Sequence, residues 1–453
     1  MTAEQDDRAP AERLLHAALA AGAAEADVIV ATASAASVGV AQRALEEAER
    51  EETREIGVRV IVETAEGRSQ ACVAAADLAD ATIAEMAERA VAMARAAPAD
   101  PYCGLAPSAA LSTVRDAADL DLLDPAMPPD PAALEADALA LEDAALAVPG
   151  VVQVSQASAG WSRERLWLMQ SNGFEGGYAR SSASLGLTAI AGAGLGRERD
   201  YAFEVRRHRA DLPSAAEIGR RAGERTVARL DPQRPPAGHC PVVFDERVAG
   251  SLVAHVLGAI NGASIARGAS WLAEAMGERI LPAGLSITEH PHLSRGRASR
   301  PFDAEGLATA ERALVEDGVL ASWVMDLATG RQLGLDSTAN ARRGLGGPPS
   351  PGTGNVRLTQ GEGDVAALCR QIGRGLLVTD FLGASINATT GAWSRGAAGF
   401  WIERGEIVHP VNEITLAGSL PEMVRTIVPA ADADPAKALQ VPSLIVEGLT
   451  LGA

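Results

Sequence analysis

His255 is the side chain whose type and setting first suggest chemistry in this 453-residue chain. It lies within residues 246–262 (ERVAGSLVAHVLGAING), and the preceding Asp245 is a good helix N-cap. A zinc-peptidase helix needs two imidazoles on one face and a glutamate to take a proton from metal-bound water. Here there is one imidazole and no second histidine within five residues. Leu252, Val253, Val256, Leu257 and Ile260 make the helix strongly apolar, so His255 is expected to be a packed, hydrogen-bonded histidine. His290 and His292 flank Pro291 and could chelate, but no nearby cysteine or patterned carboxylate completes a four-ligand set. Asp303 and Glu305, in RPFDAEG, could be paired acids facing a peptide or partner; the plainer expectation is a turn closed by an Asx hydrogen bond. Ser394 and His409 could form a nucleophile and base near a glycine-rich run that supplies backbone donors. Against that, the chain has no G-x-S-x-G elbow and no group assignable to orient the base.

The elements that must position these residues are legible in outline. Residues 387–420 (NATTGAWSRGAAGFWIERGEIVHPVNEITLAGSL) hold two apolar runs bent around Glu403-Arg404-Gly405-Glu406, which predicts a hairpin. The glycines at 391, 396 and 399 suit close approach of backbone to backbone or ligand. In the first half, helices are expected at 10–22, from Asp77 as N-cap to 97, from Asp130-Pro131 to 148, and from Ser214 to about 230. Strands are expected at 27–33, 55–63, 68–73, 151–157, 165–170, 184–193 and 201–207. Residues 98–130 read as a surface connection, and residues 341–355 (ARRGLGGPPSPGTGN) as a flexible loop and candidate flap or partner contact. The stretch DPQRPPAG at 231–238 cannot continue a helix and marks the main boundary. The expected fold class is α+β: an N-terminal helix and antiparallel-sheet domain (1–230), a linker (231–240), and a strand-rich C-terminal domain (241–453).

A formal charge of −19 disfavours a nucleic-acid partner, which needs a basic face. Four dispersed cysteines form neither a zinc knuckle nor a disulfide framework. No apolar run is long enough to cross a membrane and the N-terminus lacks a signal-type core, so a cytoplasmic location is expected. No glycine-rich phosphate loop is present, so no nucleotide cofactor is expected.

Four marks in order, GVRVIV at 57–62, PFDAEG at 301–306, residues 391–420, and VPSLIVEGL near the end, resemble the TldD/PmbA family, also labelled modulators of DNA gyrase. TldD-type members carry H-E-x-x-x-H on a helix after the domain boundary, with a later Cys completing a zinc site; PmbA members, also called TldE, lack it. On this chain the three motif positions fall on Ala254, His255 and Ala259, so the likeness is to the PmbA/TldE branch. The resemblance implies a non-metal subunit paired with a TldD-type partner that supplies the zinc. Such pairs form a cytoplasmic metallopeptidase acting on unfolded polypeptides, trimming an antibiotic leader and degrading an antitoxin. No metal or other cofactor is expected in this chain itself. Ser394 and Arg395 are expected to face the peptide or the partner. The alternative is a homodimeric peptide-binding or regulatory protein without proteolytic activity.

Overall fold

The computed structural model describes residues 3–452, with side chains described from Asp7 onward. The N-terminal half runs α1 (Ala3–Ala20), β1 (Glu25–Ala41), β2 (Ala44–Thr64), β3 (Gly67–Ala75), α2 (Asp80–Ala96), α3 (Pro131–Leu146), β4 (Val151–Gln170), β5 (Glu175–Ala191), β6 (Glu198–Arg206) and α4 (Ala215–Val227). Its strands make one sheet in the order β3-β2-β1-β4-β5-β6, antiparallel throughout. Four of the six strands are 17 to 21 residues long, so the sheet spans roughly 60 Å along them.

Alternation along β1 separates the two faces. Val28 and Val30 join a core with α1 and α2, while Val38 and Val40 join a second core with α3 and α4, so all four helices cover one face. The other face carries Asp27, Ile29, Ala31 and Ala33, and at one end it receives the C-terminal half: Ile29 packs in a cluster with Phe174, Phe302 and Leu345.

The strands are longer than local sequence predicts. Residues 44–54 (ALEEAEREETR) are polar, and residues 158–164 (SAGWSRE) lack β-branched side chains. Both are extended because a neighbour hydrogen-bonds them in register, Glu49 opposite Ser37 and Gly160 between Ser37 and Ser184. Partner pairing overrides weak intrinsic preference here. Helix α2 begins later than expected: Asp77 does not occupy the N-cap, which is Ala79, but accepts from the Ala79 N–H at 3.0 Å and the Thr82 hydroxyl at 2.5 Å. Asp130 does cap α3, accepting from the Ala133 N–H at 2.7 Å. Residues 98–130 are not a plain surface connection. Cys103, Leu105, Leu120 and Leu122 are buried, and Arg331 donates to the carbonyls of Tyr102, Gly104 and Leu105.

The C-terminal half is built on an eight-stranded sheet with Val242–Phe244, Arg374–Ile386, Ala392–Glu403 and Glu406–Ser419 at its centre, flanked by a five-stranded sheet. The expected hairpin is there: Ala392–Glu403 pairs with Glu406–Ser419 around Arg404 (φ +54°) and Gly405 (φ +79°), the two positive values of a type I′ turn. Helix α5 (Glu246–Ala259) starts at Asp245, whose carboxylate accepts from the Arg247 N–H at 3.0 Å, and it stops short of residue 262. Val248, Ala249, Leu252, Val253, Val256 and Ala259 form its buried stripe against the sheet.

Gly399 shows why the glycine-rich run is needed: a Cβ there would collide with the Leu377 carbonyl oxygen on the paired strand. Gly399→Ala is expected to cost about 1–3 kcal/mol, the usual price of overpacking. Urea denaturation checks it, and an unchanged midpoint would mean the strands can move apart freely.

Residues 341–355 are docked rather than free. Ala341–Arg342 pairs with Ser350–Pro351, the Leu345 carbonyl sits over Gly57, and Arg343 reaches Asp27 in the N-terminal sheet.

Candidate functional site

On α5, Ala254 is exposed, His255 is half-buried and Ala259 is buried. His255 does not make the expected hydrogen bond, for its Nε2 is buried without a partner. Burial lowers the imidazole pKa, and the Arg395 guanidinium lowers it further. Arg395 shares a strand face with Trp393, since both pack on the Phe381 ring: the guanidinium carbon stands 4.6 Å from the ring centroid and Nε donates to the Gly383 carbonyl at 2.9 Å. Arg395 is half-buried and lies near enough to α5 for its charge to act on His255. These residues do not fit a zinc ion. Two of three motif positions end in methyl groups, and the one imidazole faces a fixed cation that would repel a divalent metal. Among the described residues no group of three or more His, Cys, Asp or Glu is placed to hold a metal. His290 is engaged by Glu311 at 2.9 Å and His292 by the Thr309 hydroxyl at 2.9 Å.

Ser394 is half-buried on the 392–403 strand, opposite Ala417, whereas His409 pairs with Trp401 seven residues further along. At about 3.3 Å per residue the two are roughly 20 Å apart, so they cannot act as nucleophile and base.

Asp303 and Glu305 are buried, at 1% and 2% exposure, and do not form a face open to peptide or partner. Asp303 builds the Asx turn: one carboxylate oxygen accepts from the N–H groups of Glu305 at 2.9 Å and Leu307 at 3.0 Å, the other from Ala341 at 3.1 Å. Glu305 accepts from the Leu327 N–H at 2.8 Å. Burial raises both carboxyls above their ordinary range; the nearby Asp303 charge raises Glu305 further, while backbone donors hold Asp303 back.

Beside this turn, between the open face of the N-terminal sheet and the C-terminal half, lies a cavity of about 350 Å³. Arg165 and Arg180 come to it from β4 and β5, Arg297 and Arg300 from the segment after Ile287–His290, and Arg342 and Arg343 from the docked loop. Only three carboxylates, Glu55, Glu164 and Asp303, share the lining. Sequence reasoning missed this cluster because its members are scattered between residues 165 and 343. The available signal was the local run SRGRASR at 294–300 in an otherwise acidic chain.

Family models match nearly the whole length: PmbA/TldA metallopeptidase domain 1 over residues 26–94, the central domain over 124–230 and the C-terminal domain over 237–453. The chain is 36% identical to "Metalloprotease PmbA" of Escherichia coli O157:H7 over 413 residues, covering 90% of this chain and 88% of that one. It is 34% identical to "Metalloprotease PmbA homolog" of Haemophilus influenzae, covering 95% and 92%. Among solved structures, a candidate modulator of DNA gyrase from Bacteroides thetaiotaomicron superposes with a TM-score of 0.89 at 24% identity, covering 99% of each chain. TldE from Thermococcus kodakarensis superposes with 0.84 at 21%, covering 98% and 100%. These two establish likeness of fold. The curated relatives and the three domain models go further, and by them this chain belongs to the PmbA/TldD metallopeptidase family.

Proposed function

We propose that this chain is the non-metal subunit of a two-chain zinc metallopeptidase, working with a TldD-type subunit that carries the metal. The observation that carries this reading is α5: it keeps its cap and its packed stripe, yet offers one imidazole and two methyl groups where a zinc helix has its donors. A chain of this family without the donor set has a use if it shapes the chamber and holds the substrate. Strand-rich surfaces suit that task, because an extended peptide is held through its backbone with little demand on its side chains. Ser394, half-buried on the 392–403 strand, is a candidate for the partner- or peptide-facing side. Unfolded polypeptides are the substrate class, and hydrolysis takes place on the partner's zinc.

The purified chain alone is expected to bind no stoichiometric zinc and to cleave no unfolded peptide; mixed with a TldD-type subunit, it is expected to complete a chelator-sensitive peptidase. Metal analysis and peptide-cleavage assays, on each subunit and on the mixture, check this. Full activity of the partner by itself would refute the subunit role. A second reading, a homodimeric peptide-binding or regulatory protein, draws on the gyrase-modulator description of one structural neighbour. A pull-down that returns gyrase in place of a TldD-type chain would favour it.

A further inference from the structure

We propose that the arginine-walled cavity at the junction of the two halves binds a carboxylate of a peptide, either an acidic side chain or the chain terminus. This rests on the peptide-handling role above and names the part of the substrate that this subunit takes.

Six arginines and three acids contribute to the lining; of the arginines, Arg343 is sealed off and paired with Asp27, Arg165 lies 3.8 Å from Asp7, and Arg300 lies 3.8 Å from Glu289. Two of the three acids are already engaged. Glu164 is taken by Arg180 at 2.7 Å, and Asp303 is taken by backbone N–H groups. Among the described residues, neither Arg297 nor Arg342 has a carboxylate within ion-pair distance; Arg342 spends one Nη on the Thr353 carbonyl. Arg300 is 7% exposed, and its Nε is buried with no hydrogen-bond partner; the Arg165 Nη1 is in the same state. Those two atoms are sealed from the cavity, so an arriving oxyanion is met by the exposed Arg297 and Arg342 heads instead. Partial burial, and then the adjacent Arg300 cation, push Arg342 down to about 10, the crowding that a bound anion relieves.

The planar guanidinium fork matches a carboxylate in two-point contact. Tyr178 and Phe302, with ring centroids 5.6 Å apart, also line the cavity and offer an apolar wall for the methylenes that carry the carboxylate. That wall favours a peptide side chain or terminus over a bare inorganic oxyanion. A long polyanion such as nucleic acid is opposed by the overall charge and by the small volume.

The test is fluorescence anisotropy on the intact protein with two labelled unstructured peptides of equal length. One ends in consecutive glutamates with a free terminus; the other ends in glutamines with an amide. The acidic peptide is expected to bind at least about tenfold more tightly, as expected for a charge-assisted contact, with affinity falling as salt rises and with inorganic phosphate as a weak competitor. Arg342→Gln and Arg297→Gln are each expected to weaken the acidic peptide about tenfold and the neutral one little. Arg297 stands exposed at the rim, so its variant decides the matter if Arg342→Gln disturbs folding. Equal binding of the two peptides would overturn the carboxylate site, as would phosphate binding as tightly as the acidic peptide. Either result leaves the subunit role intact, since that is judged by zinc content and reconstituted cleavage.

Discussion

Asp27→Asn is expected to destabilise the protein by about 3–5 kcal/mol, the cost of breaking a buried ion pair on one side only. Asp27 is fully buried in β1. One carboxylate oxygen accepts from Arg59 Nε at 2.7 Å and Nη2 at 2.5 Å, and the other accepts from Arg343 of the docked loop. Arg59 is 2% exposed and the Arg343 side chain is sealed off entirely. Burial lowers both guanidinium pKa values, Arg343 to about 9. With the carboxylate gone, two cations would face each other in a dry site, and the contact between the two halves would lose one of its ionic anchors, the most deeply buried one. Urea denaturation of Asp27→Asn measures the loss. The triple replacement Asp27→Leu, Arg59→Met, Arg343→Met is expected to recover most of it, because no buried charge is then left unpaired. A single variant within about 0.5 kcal/mol of the parent, the scale of an ordinary surface change, would sink the argument.

Glu305→Gln is expected to remove a large part of the pH dependence of stability. In the folded chain Glu305 is raised, first by burial and then by Asp303, with Asp326 adding to the repulsion and Arg59 opposing it. The folded state therefore holds its proton more tightly than the unfolded chain does. That contribution is fully present below the ordinary glutamate value of 4.5 and is lost as pH climbs through the raised folded value. Each unit of the raise corresponds to about 1.4 kcal/mol. Glutamine mimics the protonated acid and can still accept from the Leu327 N–H, so the variant should match the parent in mild acid and exceed it above neutrality. Melting curves at several pH values check the sign. Parallel slopes for parent and variant would show that Glu305 titrates normally.

The turn that carries these acids shows how far sequence reading reaches. A short aspartate-containing run after Pro301 predicts an Asx turn, and Asp303 makes one. That the same residues are sealed from solvent does not follow from the run, because burial is set by the N-terminal sheet and the docked loop closing over it. His255 makes the same point: its helix, cap and apolar stripe were predictable, while the lowering of its imidazole pKa comes from burial in the fold and from Arg395, 140 residues away in sequence.

Sequence alone determined the features whose cause is local. These are the Asp245 and Asp130 caps, the Arg404-Gly405 turn and the close approach at Gly399. The tertiary structure decided the rest. The polar stretch 44–54 is a strand because β1 supplies its hydrogen bonds, and residues 341–355 are held because Arg343 finds Asp27. Six arginines from four chain segments become one cavity only when the two halves meet. A cap or a turn is selected by neighbours a few residues apart. Charge clusters and strand pairing depend on groups brought together across hundreds of residues, and no local preference encodes those contacts.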